Sequence, residues 1–261
     1  MQNQNFTLIT GASSGIGKEI AFECAAHHQN LLLVALPNTG LSSVVNEISS
    51  LYDVKIKMIE LDLTAGDSVQ FILNFILQEN ICLKYLINNA GIGYASPFQK
   101  VDFSLVSTLI KLNVHAVVEL THKLLPELKK SAGAGILNVC SMASWFPVPN
   151  KSIYAASKSF LMSFSKSLHH ELKSDKIYVG CLCPGATPTS DSVKQRMKEG
   201  GKLHYLFACP VKTVARKAVK GMINNNQLII PNPADQLVLL ISRFIPLKIK
   251  IAMAGKILGF K

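Results

Sequence analysis

The sequence predicts an α/β fold in which a doubly wound parallel sheet carries helices on both faces. Short apolar runs alternate with longer segments of helical spacing, and a glycine-rich turn follows the first apolar run. The 261 residues, 49% of them hydrophobic, suffice for one large core. Strict alternation of strand and helix favours parallel strands joined by crossover helices. We therefore expect a single Rossmann-like domain over residues 1–261, with its ligand at the carboxyl ends of the strands.

The individual elements follow from periodicity and length. The predicted strands are short apolar runs at 6–10, 31–35, 55–61, 84–88, 135–140, 177–183 and 228–230. The predicted helices are longer and include 16–28, 41–51, 67–79, 103–131, 153–173 and 211–223.

The net charge of +11 is concentrated in the last quarter of the chain. Residues 1–191 hold 14 basic and 14 acidic side chains, whereas residues 192–261 hold 13 basic and 2 acidic ones. This asymmetry indicates an anionic partner, such as a phosphate-bearing substrate, an acidic carrier protein or a lipid surface, or else it serves solubility alone. The basic residues are not interleaved with stacking aromatics, so we do not expect nucleic acid as a partner.

The six cysteines form no CxxC pair and no Cys/His metal spacing. We therefore expect reduced thiols and no metal. The N-terminus MQNQNFTLITG lacks the basic start and apolar run of a secretory signal, and no uncharged apolar stretch reaches ~18 residues. A cytoplasmic location is the expectation, with membrane association left open.

The turn after the first strand reads TLITGASSGIGKEI, with Gly11, Gly15 and Gly17 between a strand and an amphipathic helix. Glycines here let the backbone approach a pyrophosphate, whose charge is met by free N–H groups at the helix N-terminus. A glycine-rich turn can also be only a tight connection. Its position after the first strand favours dinucleotide binding.

Tyr154 and Lys158, in SIYAASKSF, lie four residues apart and share one face of a predicted helix. No Asp or Glu occurs between residues 128 and 170 to pair with the lysine. A cation beside a phenol favours the phenolate, so the pair is suited to acid/base chemistry. A surface tyrosine and a solvated lysine are the competing interpretation of a lone YxxxK.

Five motifs in order resemble those of the short-chain dehydrogenase/reductase family, and the resemblance covers nearly the whole chain. Thr10 to Gly17 match TGxxxGIG, Asn88 to Gly91 match NNAG, and Asn113 in KLNV matches the helix-kinking asparagine. Ser141 lies thirteen residues before Tyr154, the family's usual interval, and Pro184, Gly185 and Thr189 match PGxxxT.

The resemblance implies a role for each of these residues. Tyr154 would exchange a proton with the substrate oxygen, Lys158 would hold the ribose and lower the pKa of Tyr154, and Ser141 would hydrogen-bond the substrate. Asn113 would position a water that connects Lys158 to solvent. The implied dinucleotide contacts are Gly11, Ser13, Ser14, Gly15, Ile16, Gly17, Asp62, Leu63, Asn89, Ala90, Gly91, Tyr154, Lys158, Pro184, Gly185 and Thr189.

Ordinary structural explanations compete for several of these residues when each is taken singly. Asn113 is also explained as a helix cap, Ser141 as a strand-end hydroxyl and Thr189 as a turn former. Asp62 in LDL resembles the family's adenine-contacting aspartate, and a helix N-cap is its rival.

Two positions depart from the family pattern. The second strand ends in VALPNTG, with Ala35 and Leu36 where an acid would select NAD or an arginine NADP, and Ser14 stands where some NADP-preferring members have a basic residue. Lack of the acid removes a repulsion against phosphate, so we lean slightly to NADP over NAD. Cys140 replaces a common serine before Ser141 and should pack as a small apolar residue.

Residues 186–208 occupy the place of the family's substrate lid and carry Lys194, Arg196, Lys198 and Lys202. The tail 246–261 mixes apolar residues with lysines, and peripheral membrane contact through it is an open alternative.

We therefore predict an NAD(P)-dependent oxidoreductase that interconverts a ketone and a secondary alcohol on a lipophilic or acyl-type, or anionic, substrate. The resemblance suggests a homodimer or homotetramer through the 103–131 and 153–173 helices. The competing hypotheses are a catalytically silent dinucleotide-binding regulator and a membrane-surface scaffold.

Overall fold

The computed structural model describes residues 5–189 and 208–257. Most of the proposed lid, with Lys194, Arg196, Lys198 and Lys202, lies outside the described residues, as do the last residues of the tail. The strands are β1 (Asn5–Thr10), β2 (Asn30–Ala35), β3 (Ile56–Glu60), β4 (Cys82–Asn88), β5 (Gly135–Val139), β6 (Tyr178–Leu182) and β7 (Leu228–Ile229).

Helices separate these strands and extend beyond the last one. They are α1 (Gly15–Ala26), α2 (Leu41–Leu51), α3 (Ser68–Gln78), α4 (Phe103–Ile110), α5 (Ala116–Lys129), α6 (Ser152–Glu171), α7 (Val211–Ile223), α8 (Pro233–Ser242) and α9 (Leu247–Ile257). A π-helical segment, Lys111–His115, joins α4 to α5, and short 3-10 turns lie at Phe98–Lys100 and Met142–Ser144.

All seven strands pair in parallel, in the order β3-β2-β1-β4-β5-β6-β7. The strand order reverses between β1 and β4, which are neighbours in the sheet. At such a switch point the loops after two adjacent strands diverge to opposite faces and leave a crevice between them. The doubly wound fold class predicted from the sequence is confirmed.

The core consists of two apolar layers, one on each face of the sheet. One layer packs Leu33 of β2 against Ile20 of α1 and Met222 of α7. The other packs Leu86 of β4 against Ile72 of α3 and Leu124 of α5. Because both faces are covered, all six residues of β2 are buried, which explains its continuous apolar run NLLLVA.

The predicted helix at 103–131 is interrupted, and two further helices lie near the C-terminus. The π-helical segment divides the first stretch at Asn113 into α4 and α5. By length and composition the stretch Phe103–Lys129 could cross a membrane. We treat it as a helix of the fold, because α5 packs against β4 and α3.

Candidate active site

The glycine-rich turn is held in place from the end of β4. Gly11 and Gly15 have φ values of +65° and +55°, which side chains rarely adopt. The Asn89 side-chain amide donates to the carbonyl oxygens of Thr10 at 2.8 Å and Gly11 at 3.1 Å. A Cβ on Gly17 would collide with the Gly11 carbonyl and the Asn89 amide. The turn therefore presents bare backbone in a fixed shape.

A threonine joins the same two strand ends. The Thr10 hydroxyl accepts hydrogen bonds at 3.0 Å from the backbone N–H groups of Asn89 and Ala90. Thr10 is part of the TGxxxGIG motif, but the motif alone did not predict a function for its hydroxyl. Its position as the last residue of a strand before the glycine turn was the available signal.

The end of β2 is uncharged and partly open. Ala35 is buried and Leu36 is 50% exposed, with its carbonyl accepting from the Thr39 hydroxyl at 2.7 Å. Asp62 follows β3, and its Oδ1 accepts from the backbone N–H and the hydroxyl of Thr64, each at 2.8 Å. The rival prediction of a helix N-cap at Asp62 is wrong, since α3 begins only at Ser68. Leu63 is buried in the core.

The segment after β5 carries Ser141 and is hydrogen-bonded to α6. Ser141 caps the 3-10 turn, its hydroxyl accepting from the Ala143 N–H at 3.1 Å. The Ser144 hydroxyl donates to the Lys158 carbonyl at 2.9 Å, and the Ser159 hydroxyl donates to the Ser144 carbonyl at 3.0 Å. Ser144 was not predicted from the sequence, because its partners lie far along the chain.

Tyr154 and Lys158 lie on one face of α6, as their spacing predicted. The Lys158 ammonium lies 6.0 Å from the centre of the Tyr154 ring and donates to the Val139 carbonyl at 2.7 Å. The Ser141 side chain is near enough to Tyr154 to act on the pKa of its phenol. Three of the four predicted catalytic side chains thus meet beyond the end of β5.

The ionisation of this pair differs from the sequence-based prediction. Burial raises the pKa of Tyr154 above its usual value, and the interaction with Ser141 opposes the rise without reversing it. Burial also lowers the pKa of Lys158, whose ammonium is costly to desolvate. Burial therefore outweighs any lowering of the Tyr154 pKa by Lys158, and the phenol is protonated at neutral pH, as an ordinary tyrosine is.

Asn113 lies in the π-helical segment and is fully buried. Its Oδ1 accepts from the Ile92 N–H at 3.0 Å, and its Nδ2 donates to the Ile92 carbonyl at 2.9 Å and the Ser157 hydroxyl at 3.2 Å. A Cβ on Gly91 would lie 3.0 Å from Asn113 Oδ1 and 3.4 Å from Lys158 Nζ. Asn113 thus fixes the loop that passes in front of Lys158, and its link to solvent through a water stays a prediction.

Gly93 and Tyr94, in the loop after β4, also shape the site and were missed in the sequence. A Cβ on Gly93 would lie 2.9 Å from Cδ2 of the Tyr154 ring. The Tyr94 hydroxyl lies 3.2 Å from the Ser152 hydroxyl and accepts from the Ile153 N–H at 3.2 Å. This loop therefore holds the first turn of α6 and leaves room for the Tyr154 ring.

The loop after β6 closes the site from the other side. The Pro184 carbonyl accepts from the Met142 N–H at 3.0 Å. A Cβ on Gly15 would lie 3.2 Å from Thr189 Cβ, so Thr189 faces the glycine turn. A Cβ on Gly185 would collide with the Asp235 carboxylate of α8. Asp235 was not predicted, since its contact with Gly185 joins residues 50 positions apart.

Asp235 is a buried carboxyl group whose Oδ2 has no hydrogen-bond partner among the described residues. Burial raises its pKa to about 6. Cys140, in contrast, packs as predicted among apolar and thiol side chains, including Val117, Leu161, Cys181 and Cys183.

The remaining predicted contacts lie around the same crevice. Ser13 and Ile16 are partly exposed in the glycine turn, Ser14 is exposed, and Asn89, Ala90 and Gly91 follow β4 beside it. The structure therefore gathers the predicted residues after β1, β4, β5 and β6, whereas Asp62 and Leu63 lie farther along the sheet, after β3.

A family model for short chain dehydrogenases matches residues 5–200 of this sequence. The chain belongs to the short-chain dehydrogenase family. Over 183 residues it is 32% identical to a very-long-chain 3-oxoacyl-CoA reductase of Bos taurus, a match covering 69% of this chain and 58% of that protein. It is 33% identical to sulfoacetaldehyde reductase 2 of Chromohalobacter salexigens, covering 71% of this chain and 73% of that protein.

Solved structures show the same fold. A short-chain dehydrogenase from Sphingobium yanoikuyae, in complex with NADPH, is 28% identical with a TM-score of 0.78, covering 92% of this chain and 93% of that one. A 7beta-hydroxysteroid dehydrogenase is 18% identical with a TM-score of 0.87, covering 96% of each chain. Several of the curated relatives are longer proteins, and the chain matches about 58% of the length of the bovine reductase.

Proposed function

We propose that the protein is an NAD(P)-dependent oxidoreductase that interconverts a ketone and a secondary alcohol. The observation that carries the proposal is the meeting of Ser141, Tyr154 and Lys158 beside a bare glycine turn. A silent dinucleotide-binding regulator would need the turn but not the half-buried phenol and the buried ammonium, whose desolvation is costly.

The residues present fit a dinucleotide. Gly11 packs against Ala90, and Gly17 packs against the Gly11 carbonyl, too closely for a Cβ on either glycine. A turn that lacks these side chains lets a pyrophosphate approach its backbone. The side chain of Ser14 makes no capping hydrogen bond, so the first N–H groups of α1 are available to a phosphate. Lys158 would hold the ribose, and Thr189 faces the turn from the opposite side.

The chemistry follows from the ionisation state of the phenol. A bound nicotinamide dinucleotide supplies or accepts the hydride. Tyr154, a phenol that is protonated at neutral pH and whose pKa burial raises further, is suited to give a proton to the carbonyl oxygen during reduction. Ser141 would donate a hydrogen bond to the same oxygen, and Lys158 would stabilise the phenolate left on Tyr154.

We propose a lipophilic or acyl-type substrate. The very-long-chain 3-oxoacyl-CoA reductases among the relatives support this class, as does the basic last quarter of the chain. An apolar groove of about 410 Å³, lined by Trp145, Phe146, Val148, Pro149 and Ile251 among others, lies beside α6 near the proposed active site.

We propose NADP as the preferred form of the cofactor. Residues 35–40, ALPNTG, hold no acid that would repel a 2′-phosphate and no cation that would attract it. The relative from Sphingobium yanoikuyae was solved with NADPH.

We propose that two or four copies assemble through α4, α5 and α6. Large apolar side chains are exposed on these helices, most of all Phe103, with Ile110 and Phe160 also open to solvent. Phe160 stacks on Phe164 at 6.0 Å between ring centres, which adds a rigid aromatic surface.

We propose a cytoplasmic location for this single catalytic domain, with peripheral membrane contact through the tail. All six cysteines are free, which suits a reducing compartment. Tail residues 246–257 form the described end of the chain and include α9.

The test is Tyr154→Phe, assayed with NADPH and a panel of ketones. Removal of the proton donor should lower kcat by at least about 100-fold, while NADPH binding changes little, because the phenol acts on the transition state. The matched control, Tyr85→Phe, removes a buried phenol of β4 away from Tyr154 and should retain activity. Turnover by Tyr154→Phe close to that of the parent would contradict the proposal.

A further inference from the structure

The outward side of α8 carries an apolar stripe from Leu237 to the end of the helix. Leu237, Leu240 and Ile241 are each more than half exposed, and Phe244, just past the helix end, is 85% exposed. Their spacing of three, four and seven residues places them on one stripe of the helix. Most large apolar side chains of the fold lie in its two core layers, so this stripe is an unusual surface.

The exposed apolar residues continue onto α9. Only four residues, Arg243–Pro246, separate the two helices, and Leu247, Ile249 and Met253 of α9 are each about half exposed. We call these side chains together the C-terminal apolar surface: Leu237, Leu240, Ile241, Phe244, Leu247, Ile249 and Met253.

The charges beside this surface are all positive. Arg243 and Lys248 are exposed and Lys250 is half-buried, whereas the one acid of the segment 233–255, Asp235, is buried against Gly185. Apolar side chains that insert between headgroups, flanked by cations that attract anionic lipids, are typical of helices lying on a membrane surface.

We infer that the C-terminal apolar surface binds an anionic membrane surface, with α8 and α9 lying in the interface. A second copy of the chain is the weaker occupant, because a twofold contact sets the same patch against itself. Arg243 and Lys248 of one copy would then lie near Arg243 and Lys248 of the other, and the segment has no exposed acid to pair with these cations. Anionic headgroups supply the missing negative charge.

The inner sides of the same helices adjoin the proposed active site. Asp235 of α8 contacts Gly185 in the loop after β6, and a Cβ on Gly255 of α9 would lie 3.7 Å from Pro149 Cγ. Ile251 of α9 lines the apolar groove with Trp145 and Pro149. If the proposed oxidoreductase function holds, on which this consequence rests, a ketone dissolved in the bilayer is presented next to the groove.

The experiment is co-sedimentation of the full chain with vesicles of phosphatidylcholine and with mixed vesicles of phosphatidylcholine and phosphatidylglycerol. The parent should bind the mixed vesicles, less strongly at high salt, and bind pure phosphatidylcholine weakly. Leu240→Ser/Phe244→Ser should reduce the bound fraction by about 10-fold or more. Its control, Leu51→Ser/Phe71→Ser, removes two apolar side chains that are each more than half exposed from α2 and α3 and should bind like the parent.

A second pair of variants tests the charges. Arg243→Gln/Lys248→Gln should reduce binding to the mixed vesicles by about 10-fold, while Lys212→Gln/Lys220→Gln, which neutralises two exposed lysines of α7, should have a much smaller effect. Thermal unfolding confirms that each variant is folded.

The inference is overturned if the parent does not bind the mixed vesicles, or if the control variants lose as much binding as the variants they control for. It is also overturned if Leu240→Ser/Phe244→Ser converts an oligomer of the parent into a species of lower molecular mass in lipid-free solution. The last result would assign the surface to a second copy. Reduction of a water-soluble ketone, measured without vesicles, tests the proposed function separately. Vesicle binding without reduction would refute the function alone, and reduction without vesicle binding would refute the inference alone.

Discussion

The two sides of the crevice are built differently. On the side of β1 and β4, the Asn89 amide and the Thr10 hydroxyl make five hydrogen bonds to backbone atoms, and the packing around Gly17 leaves no space for a methyl group. On the side of α8, Asp235 keeps an oxygen without a described partner, and Phe244 extends into solvent. The first side is fixed before any ligand arrives, whereas the second has interactions still to be made.

This difference predicts which substitutions should change protein stability and ligand binding together. A change on the fixed side displaces hydrogen-bonded backbone and should reduce stability and dinucleotide binding together. A change on the α8 side meets fewer constraints, so it should alter pH dependence or partners and leave the fold intact.

The largest effect is expected for Gly17→Ala, on the fixed side. The new methyl group would collide with the Gly11 carbonyl and the Asn89 amide, and the displacement should cost about 1–3 kcal/mol or more of the free energy of unfolding. NADPH affinity should fall with it. Urea unfolding and fluorescence titration measure the two quantities.

Gly66→Ala is the matched control, because a Cβ there meets nothing within 4 Å. It should unfold and bind NADPH like the parent. A Gly17→Ala variant with parent stability and affinity would show that the turn is adaptable and would remove the contrast between the two sides.

An intermediate effect is expected for Leu36→Asp, at the edge of the fixed side. An acid at this half-exposed position should weaken NADPH binding by about 10-fold or more and NADH binding far less, since only NADPH brings a phosphate against it. Leu51→Asp adds the same charge to an exposed position at the end of α2 as a control. Equal losses for both cofactors would mean that the ribose end of the site lies elsewhere.

The smallest effect is expected for Asp235→Asn, on the α8 side. The pKa of about 6 in the folded state lies above the ordinary value of 3.8, so the folded protein holds this proton more tightly than the unfolded chain. Stability attributable to Asp235 is present below about pH 4 and is lost as pH rises through 6. Asp235→Asn should therefore stabilise the protein at pH 8, by about 1 kcal/mol after solvent screening of the carboxylate, and its advantage should vanish near pH 4.

Asp102, a carboxylate whose pKa is shifted in the opposite direction, provides the comparison. Asp102 caps α4 by accepting from the Ser104 N–H at 2.8 Å, and that hydrogen bond lowers its pKa. Asp102→Ala should therefore destabilise the protein at pH 8, where Asp235→Asn stabilises it. Denaturation midpoints across pH measure both, and a pH-independent gain in Asp235→Asn would refute the assigned ionisation.

The strands and the glycine turn could be predicted because their signals are local. Each buried strand is a short apolar run, and the spacing of Tyr154 and Lys158 defines one helix face without knowledge of anything else. Helix α8 was missed for the opposite reason. With Leu239 buried and Leu240 exposed, both of its faces are apolar, so its sequence lacks the contrast that reveals a helix.

The ionisation of the site could not be predicted from spacing. Proximity of Lys158 to Tyr154 was foreseen, but the pKa of each group depends on how many distant residues exclude water from it. The same holds for Asp235, whose raised pKa arises from burial against a loop about 50 positions away. Long-range packing determines these quantities, and a linear pattern does not record it.

The π-helical segment Lys111–His115 imposes a length constraint on the chain. Each residue turns a helix by about 100°, so the one additional residue in the wider turn sets α4 and α5 out of phase by that angle. The exposed Phe103 of α4 and the buried Leu124 of α5 can therefore each face a suitable environment, although no loop separates the two helices. Deletion of a single residue here would restore regular α-helical winding and rotate Asn113 away from Ile92. The number of residues in this segment therefore specifies the site as much as its composition does.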